Sequence, residues 1–164
     1  MKKTVKLKRK TPGESGEPRT QYGALPWRME EEPEVMLLTS RDTRRWVIPK
    51  GWPMKGRKPN VAAALEALQE GGLLGKIGKK ALGSYHYRKR LKNGAALWCR
   101  VEVFPLRVLR QRKNWREKEQ RVTHWFPYAE AAEHVAEEEL KELILTFGDT
   151  LSALANGDTE IVTR

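Results

Sequence analysis

Three observations on the sequence predict an α+β fold in the form of an α/β/α sandwich with a mixed sheet. Segments typical of strands and of helices follow one another without the regular βαβ alternation of a parallel sheet. Asn93-Gly94 lies between two strand-like segments and is typical of a tight hairpin, which indicates an antiparallel pair. Near the C-terminus, apolar residues recur at helical spacing and indicate a helix packed on the sheet.

The N-terminal part of the domain is predicted to form three short strands. The first covers residues 21–27 and is closed by Pro26, the second covers residues 35–39, and the third covers residues 46–48. Pro49 ends the third strand because proline cannot donate a hydrogen bond to a neighbouring strand. The connection between the second and third strands is polar and basic.

A short helix follows this region. It is predicted to begin at Pro59-Asn60 and to end at Gly71 or Gly72, which supplies the left-handed residue common at helix ends. Val61, Leu65 and Leu68 are three or four residues apart, so we expect them to form its packing face.

The other face of this helix carries oxygen ligands. Glu66, Gln69 and Glu70 are spaced i, i+3 and i+4, so their side chains share one face. Such a set suits a hard divalent cation such as Mg²⁺. A loop rich in Gly, Pro and Lys precedes the helix, and the combination indicates phosphate chemistry. The alternative is that the three side chains form only a solvated helix face.

The second half of the chain is predicted to contain three more strands and two helices. The strands cover residues 84–90, 98–109 and 122–126, with a charged loop over residues 110–120. The helices cover residues 128–134 and 137–155, and the apolar spacing of the second one indicates core packing.

The charge distribution divides the chain into a domain and tails. The sequence has 164 residues and a net charge of +11. Its first ten residues contain six Lys or Arg and no acid. We therefore expect a basic flexible tail over residues 1–20, one domain over residues 21–155 and a C-terminal tail over residues 156–164. The basic balance favours anionic partners, including nonspecific nucleic acid contact through the tail.

Composition also bears on location. The single cysteine, Cys99, excludes an intramolecular disulfide and favours a reducing, cytoplasmic environment. It lies in an apolar alternating segment, where a buried inert thiol is expected. No stretch approaches the ~20 apolar residues needed to cross a bilayer, so no membrane association is expected.

Residues 51–73 resemble the signature of the Nudix hydrolase family, Gly-x5-Glu-x7-Arg-Glu-apolar-x-Glu-Glu-x-Gly-apolar. Arg57 stands in place of the first Glu, Leu65 in place of the Arg and Gln69 in place of the penultimate Glu. The segment 37–49, the Val61-Ala62-Ala63 run and the later Trp115, Arg121 and Trp125-Phe126 are similar to diphosphoinositol-polyphosphate and diadenosine-polyphosphate hydrolases. The positions that match the signature in register are Gly51, Glu66, Ala67, Glu70, Gly72 and Leu73.

The resemblance implies a Nudix-type fold and hydrolysis of a P–O–P linkage with Mg²⁺ or Mn²⁺. Glu66 and Glu70 fall on family carboxylates that bind metal or activate water, and Gln69 is left as a weak carbonyl ligand. Ser40 and Arg41 match phosphate-contacting positions. Further contacts to a phosphate-rich substrate are expected from Arg28, Lys50, Gly51, Arg57 and Arg121, with Lys55, Lys58, Arg88 and Arg90 as additional candidates.

Several alternatives stay open at this point. Glu102 alternates with apolar neighbours and either points toward the site as an additional metal ligand or faces outward. Trp98, Trp115 and Trp125 either stack a base or pack in the core. The altered signature is compatible with a hydrolase, with a non-catalytic module that binds nucleotide or RNA, or with a nucleic-acid tether driven by the tail. Either a monomer or a homodimer is expected.

Overall fold

The computed structural model describes residues 17–157, which form eight strands, three α-helices and a short 3₁₀-helix (Lys118–Gln120). The helices are α1 (Pro59–Gly71), α2 (Tyr128–His134) and α3 (Glu138–Ala155). The strands are β1 (Arg19–Met29), β2 (Pro33–Thr39), β3 (Trp46–Val47), β4 (Lys50–Gly51), β5 (Leu73–Ile77), β6 (Gly83–Arg90), β7 (Ala96–Gln111) and β8 (Thr123–Pro127).

The strands form one mixed sheet, as predicted. Its main order is β3-β2-β1-β7-β5, while β4 pairs with β1, β6 with β7 and β8 with β2. The pairing of β1 with β7 is parallel, and the other pairs are antiparallel. The Asn93-Gly94 turn joins β6 to β7, so the predicted hairpin is confirmed.

Helices cover both faces of the sheet, which gives the α/β/α sandwich predicted from the sequence. On one face, Ala131, Leu140 and Ile144 of α2 and α3 pack on strand residues such as Leu25 and Val101. A second cluster buries the other face beneath α1; it consists of Ala24, Met36, Ala63, Ala67, Leu73, Phe104 and Leu106.

The prediction for the packing face of α1 is wrong. Ala62, Ala63 and Ala67 are its buried apolar side chains, whereas Leu65 and Leu68 are only half-buried. Small side chains let the helix lie close to β1, and this close approach turns Glu70 inward as well.

Several strand boundaries differ from the prediction. Pro26 lies within β1 rather than at its end, between the residues that pair with β4 and those that pair with β2. Neither β4 nor β5 was predicted from the sequence. In β5, Gly75 lies at a bulge where an added Cβ would come within 1.9 Å of the Arg107 carbonyl oxygen, so the close strand pairing requires glycine.

The predicted tails lie mostly outside the described residues, so they stay predictions. Strand β1 begins at Arg19, two residues before the predicted start of the domain. Among residues 17–157, no helix is long and apolar enough to cross a membrane.

Candidate metal and phosphate site

Helix α1 brings two carboxylates to the wall of one pocket. Glu66 and Glu70 lie one turn apart and line a cavity of about 260 Å³. Their carboxyl groups share a hydrogen bond. The two side chains share one helix face, as their spacing predicts, and both line this cavity.

The backbone of β4 supports the Glu66 carboxylate. Gly51 pairs with Tyr22 of β1, and a Cβ added at Gly51 would lie 2.0 Å from Glu66 Oε2. Only a glycine leaves room for the carboxylate in this position. The matched glycine of the signature is thus explained by the space that Glu66 occupies.

Burial and charge set the protonation of the pair. Burial raises the pKa of Glu70 to about 8, against the opposing pull of Arg121 and Lys50. Burial also raises the pKa of Glu66, whereas it lowers the pKa of the Lys50 ammonium. Without a metal, burial therefore favours the protonated form of this pair.

Arg121 is an enclosed cation of the pocket, with only 9% of its side chain exposed. Its Nε donates to Glu117 Oε1 at 2.7 Å, and one Nη donates to the Thr39 carbonyl oxygen at 3.1 Å. The other Nη lies 3.8 Å from Glu70 Oε2. These contacts fix the guanidinium beside the carboxylate pair at the wall of the pocket.

The end of β7 and the loop after it are hydrogen-bonded to the C-terminal end of α1. Glu117 N donates to the Gln69 carbonyl oxygen at 3.0 Å, and Trp115 Nε1 donates to the Glu70 carbonyl oxygen at 3.2 Å. Gln111 Nε2 and Arg112 N donate to the next two carbonyl oxygens, each at 2.8 Å. Helix ends leave such carbonyl groups without partners inside the helix, so the loop stabilises the end of α1.

Five of the predicted substrate and metal residues besides Glu66 and Glu70 also reach this pocket. They occupy three separate regions: the loop after β2, strand β4 and the loop before β8. Arg41 donates to Gln120 Oε1 at 3.1 Å, which positions it at the rim. The five residues are Ser40, Arg41, Lys50, Gly51 and Arg121.

Four predicted residues do not line the pocket. Arg28 is engaged by Glu34 at 2.7 Å and lies over the Trp125 ring, and Glu102 pairs with Arg100 at 3.0 Å. Arg57 is exposed in the turn before α1, and the Gln69 side chain is not part of the pocket wall. The geometry therefore gives no support to a ligand role for these four side chains.

Sequence reasoning missed six residues that line the pocket. Tyr87 OH donates to Gln21 Oε1 at 2.6 Å, and Lys50 Nζ lies 4.9 Å from the centre of the Tyr87 ring. Nothing in the local pattern of these residues marks them, since only the folding of distant segments brings them together. They are Gln21, Asp42, Trp52, Tyr87, Lys89 and Glu117.

The donor set fits a divalent cation held partly by the substrate. Within residues 17–157, no cluster of three or more His, Cys, Asp or Glu side chains is arranged for metal binding. Two adjacent carboxyl groups are nevertheless a suitable minimal set for Mg²⁺, which commonly binds one or two protein carboxylates, water and substrate phosphates. Glu66 and Glu70 would hold such an ion.

Comparison with known proteins places the chain among related sequences and folds. No family model matches it. It is 32% identical over 110 residues to diphosphoinositol polyphosphate phosphohydrolase 3-alpha of Mus musculus, covering 65% of this chain and 63% of that protein. It is 26% identical over 146 residues to the mitochondrial Nudix hydrolase 17 of Arabidopsis thaliana, covering 84% and 78%. The chain thus spans less than two thirds of the first relative.

A solved structure agrees in fold. The Ap4A hydrolase of C. elegans, in its binary complex, superposes with a TM-score of 0.61 over 82% of this chain and 98% of that one, at 18% identity. At this identity the likeness shows a shared fold. In sequence and in fold, the chain is therefore similar to Nudix hydrolases.

Proposed function

We propose that this protein is a Nudix pyrophosphohydrolase that cleaves a P–O–P linkage in a nucleoside or inositol polyphosphate with Mg²⁺ or Mn²⁺. The observation that carries the proposal is the Glu66–Glu70 carboxyl pair on the wall of a pocket that also contains Arg41, Lys50 and Arg121. Two acids beside several cations suit a metal-bound polyphosphate, whose negative charge exceeds that of the metal.

We assign different roles to the cations of the pocket. Arg41 and Lys50 reach the cavity from two different segments and would contact phosphate oxygens, with the Ser40 hydroxyl as an additional donor. Arg121 is already committed to Glu117 and Thr39, so we assign it to holding Glu70 in place. This differs from the substrate contact expected for Arg121 from the sequence.

The acids are proposed to bind the metal and to handle the proton of the attacking water. A bound Mg²⁺ or Mn²⁺ would neutralise phosphate charge and lower the pKa of a bound water. Glu66 is the less buried of the two and faces the cavity, so we assign it to accepting that proton. Glu70, held by Arg121, would fix the position of Glu66 through their hydrogen bond.

The proposed substrate class is based on the names of one sequence relative and one structural neighbour. The Mus musculus relative is called a diphosphoinositol polyphosphate phosphohydrolase, and the structural neighbour is called an Ap4A hydrolase. Both compounds contain P–O–P linkages, so the proposal is limited to polyphosphates of this kind. The pocket of about 260 Å³ would enclose the phosphates of such a substrate rather than the whole molecule.

A turnover assay tests the proposal. Purified protein with millimolar Mg²⁺ or Mn²⁺ should release cleavage products from diadenosine tetraphosphate, a diphosphoinositol polyphosphate or a nucleoside diphosphate derivative. Glu66→Gln and Glu70→Gln should each lower kcat at least about a hundredfold. Arg57→Gln, at an exposed residue outside the pocket, is the control and should retain the wild-type rate.

The altered signature supplies a second test. Gln69→Glu restores the signature carboxylate, and a sharp rise in both metal affinity and kcat would show a weakened but working site. The absence of turnover on all three substrates, in the wild type and in Gln69→Glu, would instead support a non-catalytic Nudix module. A cytoplasmic location and a monomeric or dimeric state stay predictions from the sequence.

A further inference from the structure

Gln21 is a polar residue buried in the wall of the Glu66–Glu70 pocket, with only 3% of its surface exposed. The Tyr87 hydroxyl donates to Gln21 Oε1 at 2.6 Å, which occupies the carbonyl end of the amide. Within residues 17–157, the Nε2 end makes no hydrogen bond and is not enclosed, so it faces the pocket. Gln21 therefore offers its two N–H groups to a ligand.

The orientation of this amide is fixed by a chain of hydrogen bonds. Burial raises the pKa of Tyr87, so its hydroxyl keeps the proton that it donates to Gln21. The Tyr87 oxygen is also hydrogen-bonded to the Cys99 thiol, which lies opposite it in the β6–β7 pair. Turning the amide around would break the bond from Tyr87, so the pocket presents a hydrogen-bond donor here and requires an acceptor on the ligand.

Trp52 brings an aromatic ring to the same part of the pocket. It follows Gly51 of β4, is half-buried and lines the pocket. The Arg19 guanidinium lies 5.4 Å from the centre of the Trp52 ring. Arg19 and Gln21 are two residues apart in β1, so their side chains are on the same face of that strand. The Trp52 ring and the Gln21 amide therefore lie along the same side of β1.

Lys50 connects this region with the carboxyl pair. Its Nζ lies 4.9 Å from the centre of the Tyr87 ring, and its positive charge also acts on Glu70. A phosphate held at Lys50 would thus have the metal-binding acids on one side and the Tyr87–Gln21 pair on the other. The remainder of the same ligand would reach Gln21 and Trp52.

We propose that Trp52 and Gln21 form a nucleobase subsite, in which the base stacks on the Trp52 ring and accepts a hydrogen bond from Gln21 Nε2. Tyr87 is a positioning residue that holds the amide. An indole ring stacks on any flat heterocycle, whereas an inositol polyphosphate has no such ring and requires cations. The inference rests on the proposed function and narrows its substrate class to nucleoside polyphosphates.

A pair of non-hydrolysable ligands tests the subsite by binding alone. Adenosine 5′-(α,β-methylene)diphosphate and methylenediphosphonate contain the same bridged phosphorus pair and differ by the adenosine. Isothermal titration of the full chain with Mg²⁺ should show at least about tenfold tighter binding of the nucleotide. Trp52→Ala should remove most of this difference, while Trp52→Phe should retain it, and both variants should bind methylenediphosphonate with the wild-type affinity.

The amide and its support are tested with the same two ligands. Gln21→Met keeps the length of the side chain without the donor, and should weaken nucleotide binding about fivefold. Tyr87→Phe keeps the ring beside Lys50 but releases the amide, so a smaller loss of about threefold is expected, again for the nucleotide only. The matched control is Trp98→Ala at a tryptophan of β7 that is stacked on His86 outside the pocket, and it should change neither affinity.

The two ligands separate this inference from the proposed hydrolysis. Equal wild-type affinity for both ligands, an unchanged nucleotide affinity in Trp52→Ala, or equal losses for both ligands in Trp52→Ala and Gln21→Met would overturn the subsite. Selective nucleotide binding without turnover of any polyphosphate would support the subsite and reject the proposed function. Turnover of a diphosphoinositol polyphosphate without nucleotide selectivity would do the reverse. Thermal unfolding verifies that each variant is folded.

Discussion

At the scale of single residues, the site depends on how closely Glu66 approaches the chain of β4. Gly51→Ala places a methyl group where Glu66 Oε2 now lies, at 2.0 Å. The flexible carboxylate would move, so we expect thermal stability to change little while metal affinity falls at least about tenfold. Isothermal titration with Mn²⁺, together with a thermal melt, measures both effects. Retention of wild-type Mn²⁺ affinity would show that Glu66 binds the ion from another position.

The buried Glu70 predicts a pH dependence of stability in the metal-free protein. Its folded pKa of about 8 exceeds its ordinary value of 4.5, so the folded state binds a proton that the unfolded state releases between these values. The free energy of unfolding should therefore fall as the pH rises from about 4.5 to about 8.

Thermal unfolding in the presence of a chelator, at several pH values in this range, measures this effect. The Glu70→Gln variant provides the comparison because its amide does not titrate, and its melting temperature should fall less over the same range. Parallel curves for the two proteins would mean that Glu70 is ionised in the folded state.

Sequence reasoning found the residues whose roles depend on local spacing. Glu66 and Glu70 were predicted from their separation of one helical turn, and both line the pocket. Gln69 satisfied the same spacing, but the helix is rotated so that its buried face is made by alanines and the Gln69 side chain is not in the pocket wall. Glu117 carried no local signal, because it reaches the pocket through a loop whose path depends on α1.

At the scale of elements, the contact between the end of α1 and the loop after β7 leaves no room for a side chain at Gly72. Gly72 follows α1 with φ of +71°, and a Cβ there would lie 2.3 Å from the Trp115 ring. Gly72→Ala therefore combines left-handed strain with a steric clash, and should cost about 2–5 kcal/mol in the free energy of unfolding.

Gly94→Ala is the matched control for this prediction. Gly94 has φ of +88° but nothing within 4 Å of an added Cβ, so only the strain of about 1–2 kcal/mol should appear. Urea unfolding of the two variants gives the difference that is due to Trp115. Equal losses would indicate that the loop moves aside freely and does not hold α1.

The elements that were predicted well are those with characteristic residues at their ends. Proline at the start and glycine after the end marked α1, and the Asn93-Gly94 turn marked the β6–β7 hairpin. The two unexpected strands are short or irregular: β4 has two residues, and β5 contains a bulge. Strand β4 pairs with β1 and β5 pairs with β7, so both depend on partners that are distant in the sequence.

At the scale of the whole molecule, the site is assembled by one long-range pairing. Strand β1 runs parallel to β7, with Gln21 opposite Val101 and Ala24 opposite Phe104. About 80 residues separate these partners, and no local pattern could specify their register. The family resemblance predicted the fold correctly because it carries this arrangement, which composition and periodicity do not.

The central claim is that Glu66 and Glu70 together hold a divalent ion beside the phosphates of a substrate. The most direct measurement is Mn²⁺ binding followed by electron paramagnetic resonance, in the wild type and in Glu66→Gln/Glu70→Gln, with and without a non-hydrolysable nucleotide. We predict one bound Mn²⁺ per chain in the wild type, held more tightly when the nucleotide is present, and its loss in the double variant. Equal Mn²⁺ binding by both proteins would contradict the account.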